Sequence, residues 1–234
     1  MARTRNPSHK ISTLNERALH AALKEWYARP GDHCEVYVDG FLVDIARDDR
    51  LVEIQTRNFA QIKRKLAALA EHHRVRLVYP IAEEKWIIRE SRDGRKRLSR
   101  RKSPKRGAVE HVFRELVSAP ALLAMPHFSL EVLLIREEEV RRQGLARAWR
   151  RGGWATCERR LIEVVGRRVF ETSHDLAALI PDGLAEPFTT ADLASAIGQP
   201  RPVAQQMAYC LREMGALRVT GKKHNAFLYV RTDG

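Results

Sequence analysis

Two β-rich runs, Glu35-Val-Tyr-Val38 and Phe41-Leu-Val-Asp-Ile-Ala46, flank the pair Asp39-Gly40, and this arrangement constrains the fold more than any other stretch of the chain. Asp-Gly takes the left-handed backbone that a two-residue hairpin turn needs, so the two runs are expected to pair antiparallel. A second turn, Arg47-Asp-Asp-Arg50, leads to a third strand, Leu51-Val-Glu-Ile-Gln55. From Phe59 to about His72 the spacing becomes helical, through Ile62, Leu66 and Leu69. Val75-Arg-Leu-Val-Tyr79 then reads as a buried strand stopped by Pro80, with Trp86-Ile-Ile88 as a further strand. Ahead of the hairpin, Leu14, Ala18, Ala22 and Trp26 recur at helical spacing, widened by Leu19 and Leu23, until Pro30-Gly31 ends the helix. Helix, three strands, helix, strand is the order of an α/β domain with a mixed sheet.

Three polar residues interrupt these strands. Asp44 stands near the end of an apolar strand, and Glu53 and Gln55 are two apart, so both point to one face of theirs. An ionised Glu within Leu-Val-Glu-Ile is costly unless it meets a cation or several donors. If the turns bring Asp44 beside Glu53, a divalent metal relieves their repulsion, and hard oxygen ligands suit Mg²⁺ or Mn²⁺. Other readings of the same residues stand beside this one. Asp44 would pair with Arg47 or Arg50, Glu53 and Gln55 would be the polar face of an edge strand, and Thr13-x-x-Glu16 would be a helix capping box.

Asp44, eight intervening residues and Glu53-Ile54-Gln55, set in an α-β-β-β-α-β order, resemble the PD-(D/E)XK nuclease superfamily of restriction endonucleases and Holliday-junction resolvases. The resemblance spans residues 12–90. It implies that Asp44 and Glu53 hold Mg²⁺, with Mn²⁺ as a substitute, that the Ile54 carbonyl is a third ligand, and that Glu16 orients a water or a second ion. The lysine usual in that family falls at Gln55, which supplies no positive charge. Lys63 or Gln61, on the following helix, would stand in for it.

The chain of 234 residues carries a formal charge of +13, from 42 Lys and Arg against 29 Asp and Glu. The excess is concentrated. Residues 92–107 hold nine Lys or Arg and one Asp, residues 141–160 hold seven Arg and one Glu, and the remainder is slightly acidic. Gly94, Pro104 and Gly107, with almost nothing apolar between them, mark residues 91–107 as a self-repelling basic linker. Within it, Arg100, Arg101 and Lys102 are candidate DNA contacts. In the second segment, Trp149, Arg150 and Arg151 are candidates, since guanidinium grips phosphate and indole stacks on bases. Such charge favours a polyanionic partner, and no apolar run reaches the roughly 18 residues of a membrane span. Three widely separated cysteines, Cys34, Cys157 and Cys210, fit a cytoplasmic protein better than a disulfide scaffold.

Residues 108–171 read as an α+β spacer or DNA-binding region: a helix broken by Pro120, a strand Phe128–Ile135, a solvated helix from Arg136, and a hairpin about Gly166. Further on, Thr189-Thr190 caps a helix ending at Gly198. A longer helix follows Pro202, and two strands frame Gly221–Asn225. Residues 172–231 thus resemble a winged-helix domain. That resemblance implies DNA contacts from Arg201, Gln205 and Gln206 at the start of the long helix and from Lys222 and Lys223 at the wing. Winged helices also serve as dimerisation or docking units, so a homodimer is admitted. The sequence as a whole points to an Mg²⁺-dependent DNA endonuclease acting on double-stranded or branched DNA. The alternative is an inactive nuclease-like protein that binds DNA or regulates.

Overall fold

The computed structural model describes residues 18–143 and 153–232. A first helix, α1, occupies residues 18–27. Its buried line is Leu19, Leu23 and Tyr27, four residues apart, while Trp26 is 46% exposed and lies off the face expected to be buried. Strands β1 (His33–Val38) and β2 (Phe41–Arg47) pair antiparallel about Asp39 and Gly40, whose φ angles of 49° and 81° are both left-handed. The turn at Asp48-Asp49 leads to β3 (Arg50–Ile54), antiparallel to β2 in the register Ile45↔Val52. Helix α2 (Phe59–Ala70) then crosses to β4 (Arg74–Glu90), which lies parallel to β3 with Leu51 opposite Val75. A parallel neighbour needs a crossover of this length.

Strand β4 does not stop at Pro80. The carbonyl of Val78 accepts from the Gln55 N–H, so this edge of β4 faces β3 at residues 78 and, two further on, 80. Pairing with β3 ends at Val78, and pairing with β5 (Arg97–Lys102) begins only at Trp86. Proline's missing N–H therefore falls where neither β3 nor β5 pairs with β4.

Three segments differ from the expectations above. Part of the expected linker is β5, hydrogen-bonded along β4. The run from Arg136, read as a solvated helix, continues β6 (Phe128–Gln143), because Leu133, Ile135, Glu137 and Glu139 are buried at period two. The hairpin expected at Gly166 is one unbroken strand, β7 (Trp154–Phe170). The large mixed sheet runs β1-β2-β3-β4-β6-β7, with β5 also on β4.

The chain forms two compact units that do not follow the sequence boundaries. One comprises the described parts of residues 1–30, 80–108 and 133–167; the other comprises 31–79, 109–132 and the described part of 168–234. In the second unit, a 3-10 turn (Val109–Val112), α3 (Phe113–Leu116) and a further 3-10 turn (Pro120–Ala124) follow the strands. The C-terminal elements are α4 (Ser173–Ala177), α5 (Thr190–Ala196), α6 (Arg201–Glu213) and the hairpin β8 (Leu217–Lys223) and β9 (Ala226–Arg231). Thr189 and Asp192 close a capping box on α5. Helix α6 buries Val203, Met207, Cys210 and Leu211 and packs against α3, α4, α5, both 3-10 turns and β8. Parts of the segments expected to form separate nuclease-like, spacer and winged-helix domains (31–79, 109–132 and the described part of 172–231) therefore share one unit.

The first unit buries acid–base contacts beside its apolar core. Glu137 is fully buried and meets Arg159 at 2.6 Å and Lys85 at 3.2 Å. Glu139 takes Lys85 at 2.9 Å, Arg141 at 2.7 Å and the Thr156 hydroxyl at 2.8 Å. Glu84 gathers Lys102, Arg106 and Arg136, and Glu90 gathers Arg142 and Arg160. Much of the basic charge concentrated in the sequence is neutralised here. Among the described residues, no helix is long and apolar enough to cross a membrane.

Burial alone would raise the Glu139 carboxyl, but Lys85, Thr156 and Arg141 outweigh it and pull it down to about 2. A depressed carboxyl contributes stability that is complete above its ordinary value and is lost as pH falls toward the folded one. Glu139→Gln should lower stability by about 2 kcal/mol at neutral pH and flatten the loss on acidification, read by urea unfolding across a pH series.

Candidate active site

Asp44, Glu53 and Lys65 come together within the second unit. The β2–β3 register that sets Ile45 opposite Val52 brings Asp44 level with Glu53, and cross-strand neighbours share a face. Strand β3 lies between β2 and β4, which rules out the reading of Glu53 as an edge-strand residue. One Asp44 carboxylate oxygen accepts the Ile54 N–H at 2.8 Å. That bond ties the middle of β2 to the end of β3. Arg47, considered above as a partner of Asp44, makes a charged pair with Asp32 at 2.6 Å.

Glu53 is 8% exposed. Lys65, from α2, reaches its Oε1 at 2.5 Å and also donates to the Leu42 carbonyl. Glu53 Oε2 is buried without a hydrogen-bond partner among the described residues. Burial is the main reason the Glu53 carboxyl is raised above the ordinary range; the neighbouring Asp44 charge adds to it, and Lys65 offsets part. Two adjacent carboxylates, one with an orphaned oxygen, fit a single hard divalent cation. Among the described residues, no group of three or more His, Cys, Asp or Glu could hold an ion, so such a cation would rest on this pair and on oxygens outside that set.

Lys65, rather than Lys63 or Gln61, is the cation that α2 delivers. Lys63 and Gln61 are exposed on the outer side of the helix. Lys65 is three residues after Ile62 and four before Leu69, on the stripe that faces the sheet. The helical spacing already contained this signal. The amide of Gln55 donates to the Arg57 carbonyl at 2.5 Å, at the turn into α2. There Asn58 is left-handed with no side-chain cap, and the first helical N–H, that of Phe59, is accepted by Glu115 of α3 at 3.2 Å.

The other sequence candidates are dispersed. Glu16, Trp149, Arg150 and Arg151 lie outside the described residues. Arg100, Arg101 and Lys102 are all exposed on β5, but Arg100 pairs with Glu138 and Lys102 with Glu84. Arg201 and Gln205 are exposed on α6, whereas Gln206 is half-buried. Lys222 and Lys223 are exposed at the end of β8, with Lys222 above the Phe227 ring.

A carboxyl raised on folding contributes stability that is present at low pH and lost as pH rises through its folded value. Without added metal, Glu53→Gln should therefore raise the melting temperature at neutral pH and change it little in mild acid. Thermal melts in chelator at both pH values check this.

A family model described as a domain of unknown function (DUF8091) matches residues 17–171. The matched stretch runs through all seven strands of the large sheet and holds Asp44, Glu53 and Lys65; it stops before α4. A protein of Treponema pallidum (strain Nichols), described as an uncharacterized protein, is 32% identical over 188 residues, covering 79% of this chain and 73% of its own length. No solved structure matches. With about two thirds of its residues inside the family model, the chain belongs to the DUF8091 family.

Proposed function

We propose that this chain is a metal-dependent DNA endonuclease that hydrolyses phosphodiester bonds with Asp44, Glu53 and Lys65. The observation that carries the proposal is Glu53 itself: a buried carboxylate beside a second one, held by a lysine through one oxygen while the other has no hydrogen-bond partner among the described residues. Its setting resembles a PD-(D/E)XK nuclease, with the two acids on adjoining strands and the next strand reached through a helix. A bound Mg²⁺ or Mn²⁺ supplies polarisation of the phosphodiester and a lowered pKa for the attacking water. Asp44 and Glu53 would hold that ion. Lys65, fixed by Glu53 and the Leu42 carbonyl, presents a preorganised positive charge to the phosphate oxygens, which is the part the family's lysine plays.

The C-terminal elements support a DNA partner. A helix, a bridge at Phe188, two helices and a hairpin follow one another, and Phe188 exchanges hydrogen bonds with Tyr229 of β9. This order resembles that of a winged helix. Docked in that way, α6 lies in the major groove with Arg201 and Gln205 at its start, and Lys222 and Lys223 reach the backbone from the wing. The three cysteines, as free thiols, suit the cytoplasmic location we assign.

A second reading, an inactive nuclease-like protein that binds DNA or regulates, is favoured by Gln55, which replaces the family's lysine and has its amide engaged by the turn. Cleavage assays separate the two. Supercoiled, linear, branched and single-stranded DNA should be tested with Mg²⁺ and with Mn²⁺. Glu53→Ala is expected to abolish cutting with the fold intact, and Lys65→Ala to slow it by about 10²-fold, the usual cost of removing one preorganised donor. Wild-type protein that cuts none of these substrates with either metal leaves the second reading. Since metal and proton compete for Glu53, stabilisation by Mg²⁺ should grow as pH rises through the raised carboxyl, followed by thermal shift.

A further inference from the structure

Among the described residues, the exposed aromatic rings are those of Trp26, Tyr37, Tyr209 and Phe227. Three of them have a neighbour. Trp26 lies 6.3 Å from the Tyr27 ring, the Arg212 guanidinium lies over Tyr209 at 5.6 Å, and the Lys222 ammonium lies over Phe227 at 5.0 Å. Tyr37 is the most exposed of the four, at 76%, and meets neither a ring nor a cation among the described residues. Its place is set by the β1–β2 hairpin, within the second unit. Tyr37 is directly opposite Leu42, and paired residues on neighbouring strands share a face. Leu42, 47% exposed, precedes Asp44 by two on β2, so alternation puts these two on one face as well. Val43 and Ile45 are buried on the other. Lys65, which holds Glu53, also donates to the Leu42 carbonyl. An open ring with an apolar side chain beside it therefore stands one step along the strands, about 7 Å, from the level of Asp44 and Glu53.

We infer that Tyr37, flanked by Leu42, is a stacking platform for an unpaired base next to the scissile phosphate. The substrate is then DNA with unpaired bases at the point of cutting, single-stranded or branched. The inference rests on the nuclease reading, whose substrate it narrows. Every base has a π-face, so stacking on an aromatic ring is favourable whatever the sequence. Within a duplex those faces are already stacked on their neighbours, and only a base taken out of the stack can use such a ring. A nucleotide held by its phosphate at the acid pair has its base as the nearest apolar surface to meet Tyr37. Tyrosine supplies the contact area with only two side-chain torsions to fix. The ring carries no charge, so what it adds to binding releases no counterions and is separable from phosphate contacts by its indifference to salt.

The test is fluorescence anisotropy with a labelled oligothymidine and a labelled duplex, using the full chain in chelator across a range of KCl concentrations. Tyr37→Ala should weaken oligothymidine binding about tenfold, with the log–log salt slope unchanged and duplex binding as before. Tyr37→Phe, which keeps the ring and loses the hydroxyl, should bind like the wild type. Neither variant should change the melting temperature, because the ring is exposed. The inference is overturned if Tyr37→Ala binds oligothymidine as the wild type does, if Tyr37→Phe loses as much as Tyr37→Ala, or if an oligouridine of the same length binds more tightly. A dimer in sedimentation that Tyr37→Ala dissociates also overturns it, since the ring then belongs to a contact between copies. Chelator removes cleavage from the readout. A protein that binds in this way and never cuts with Mg²⁺ or Mn²⁺ sinks the nuclease proposal and leaves the ring as a base-binding site. One that cuts while Tyr37→Ala keeps its affinity for oligothymidine sinks only this inference.

Discussion

The contact on which the candidate site depends is the pair of Glu53 and Lys65. Glu53 stands on β3, which has strands on both edges, so its carboxylate has lost most of the water that would solvate it. An isolated charge in that position would be expelled or protonated. Lys65 removes only part of the cost, since it engages one oxygen and the carboxyl remains raised. The same lysine holds the Leu42 carbonyl, so helix α2, strand β2 and strand β3 are fastened through one ammonium group. A site built this way keeps its acid poised for a positive partner, because the protein alone does not finish neutralising it.

The first unit gathers more cations about its acids. It buries Glu137 and Glu139 and surrounds them with Lys85, Arg141 and Arg159, although Glu137 Oε1, like Glu53 Oε2, has no hydrogen-bond partner among the described residues. Ion pairs of this kind add little net stability over apolar packing, but losing one partner strands the other. That fixes register along the long strands, because a slip of one residue would carry every acid to the wrong face. Basic sequence segments are therefore a poor guide to binding surfaces here. Lys102 and Arg142 belong to such segments, and their charge is matched by the buried carboxylates of Glu84 and Glu90.

The stretch from β1 to the first part of β4 was legible because its signals are local. Asp39-Gly40 forces a hairpin through backbone sterics, and the spacing of Phe59, Leu66 and Leu69 marks α2. Asp44 and Glu53 stood out as charges in apolar strands, and two hairpin turns sufficed to align them. The failures came where local rules met distant partners. Pro80 is an ordinary strand stop until one knows that its edge faces a gap between β3 and β5. The acidic run at Glu137–Glu139 reads as solvated until Lys85 and Arg159, 52 residues before and 22 after Glu137, are brought against it. Lys65 was hidden by its own type, since a lysine on an apolar stripe is usually discounted.

The capping of α2 by Glu115 has a consequence for how this chain can vary. The helix that carries Lys65 has its first N–H accepted by a residue of α3, and α3 in turn packs on α6, well beyond the matched family stretch. The catalytic candidates and the C-terminal helices are thus coupled by packing rather than joined as a cassette. Exchange of the C-terminal segment for an unrelated module would uncover α3 and loosen the support of the lysine. Changes in α6 and α3 should accordingly be accepted together or not at all.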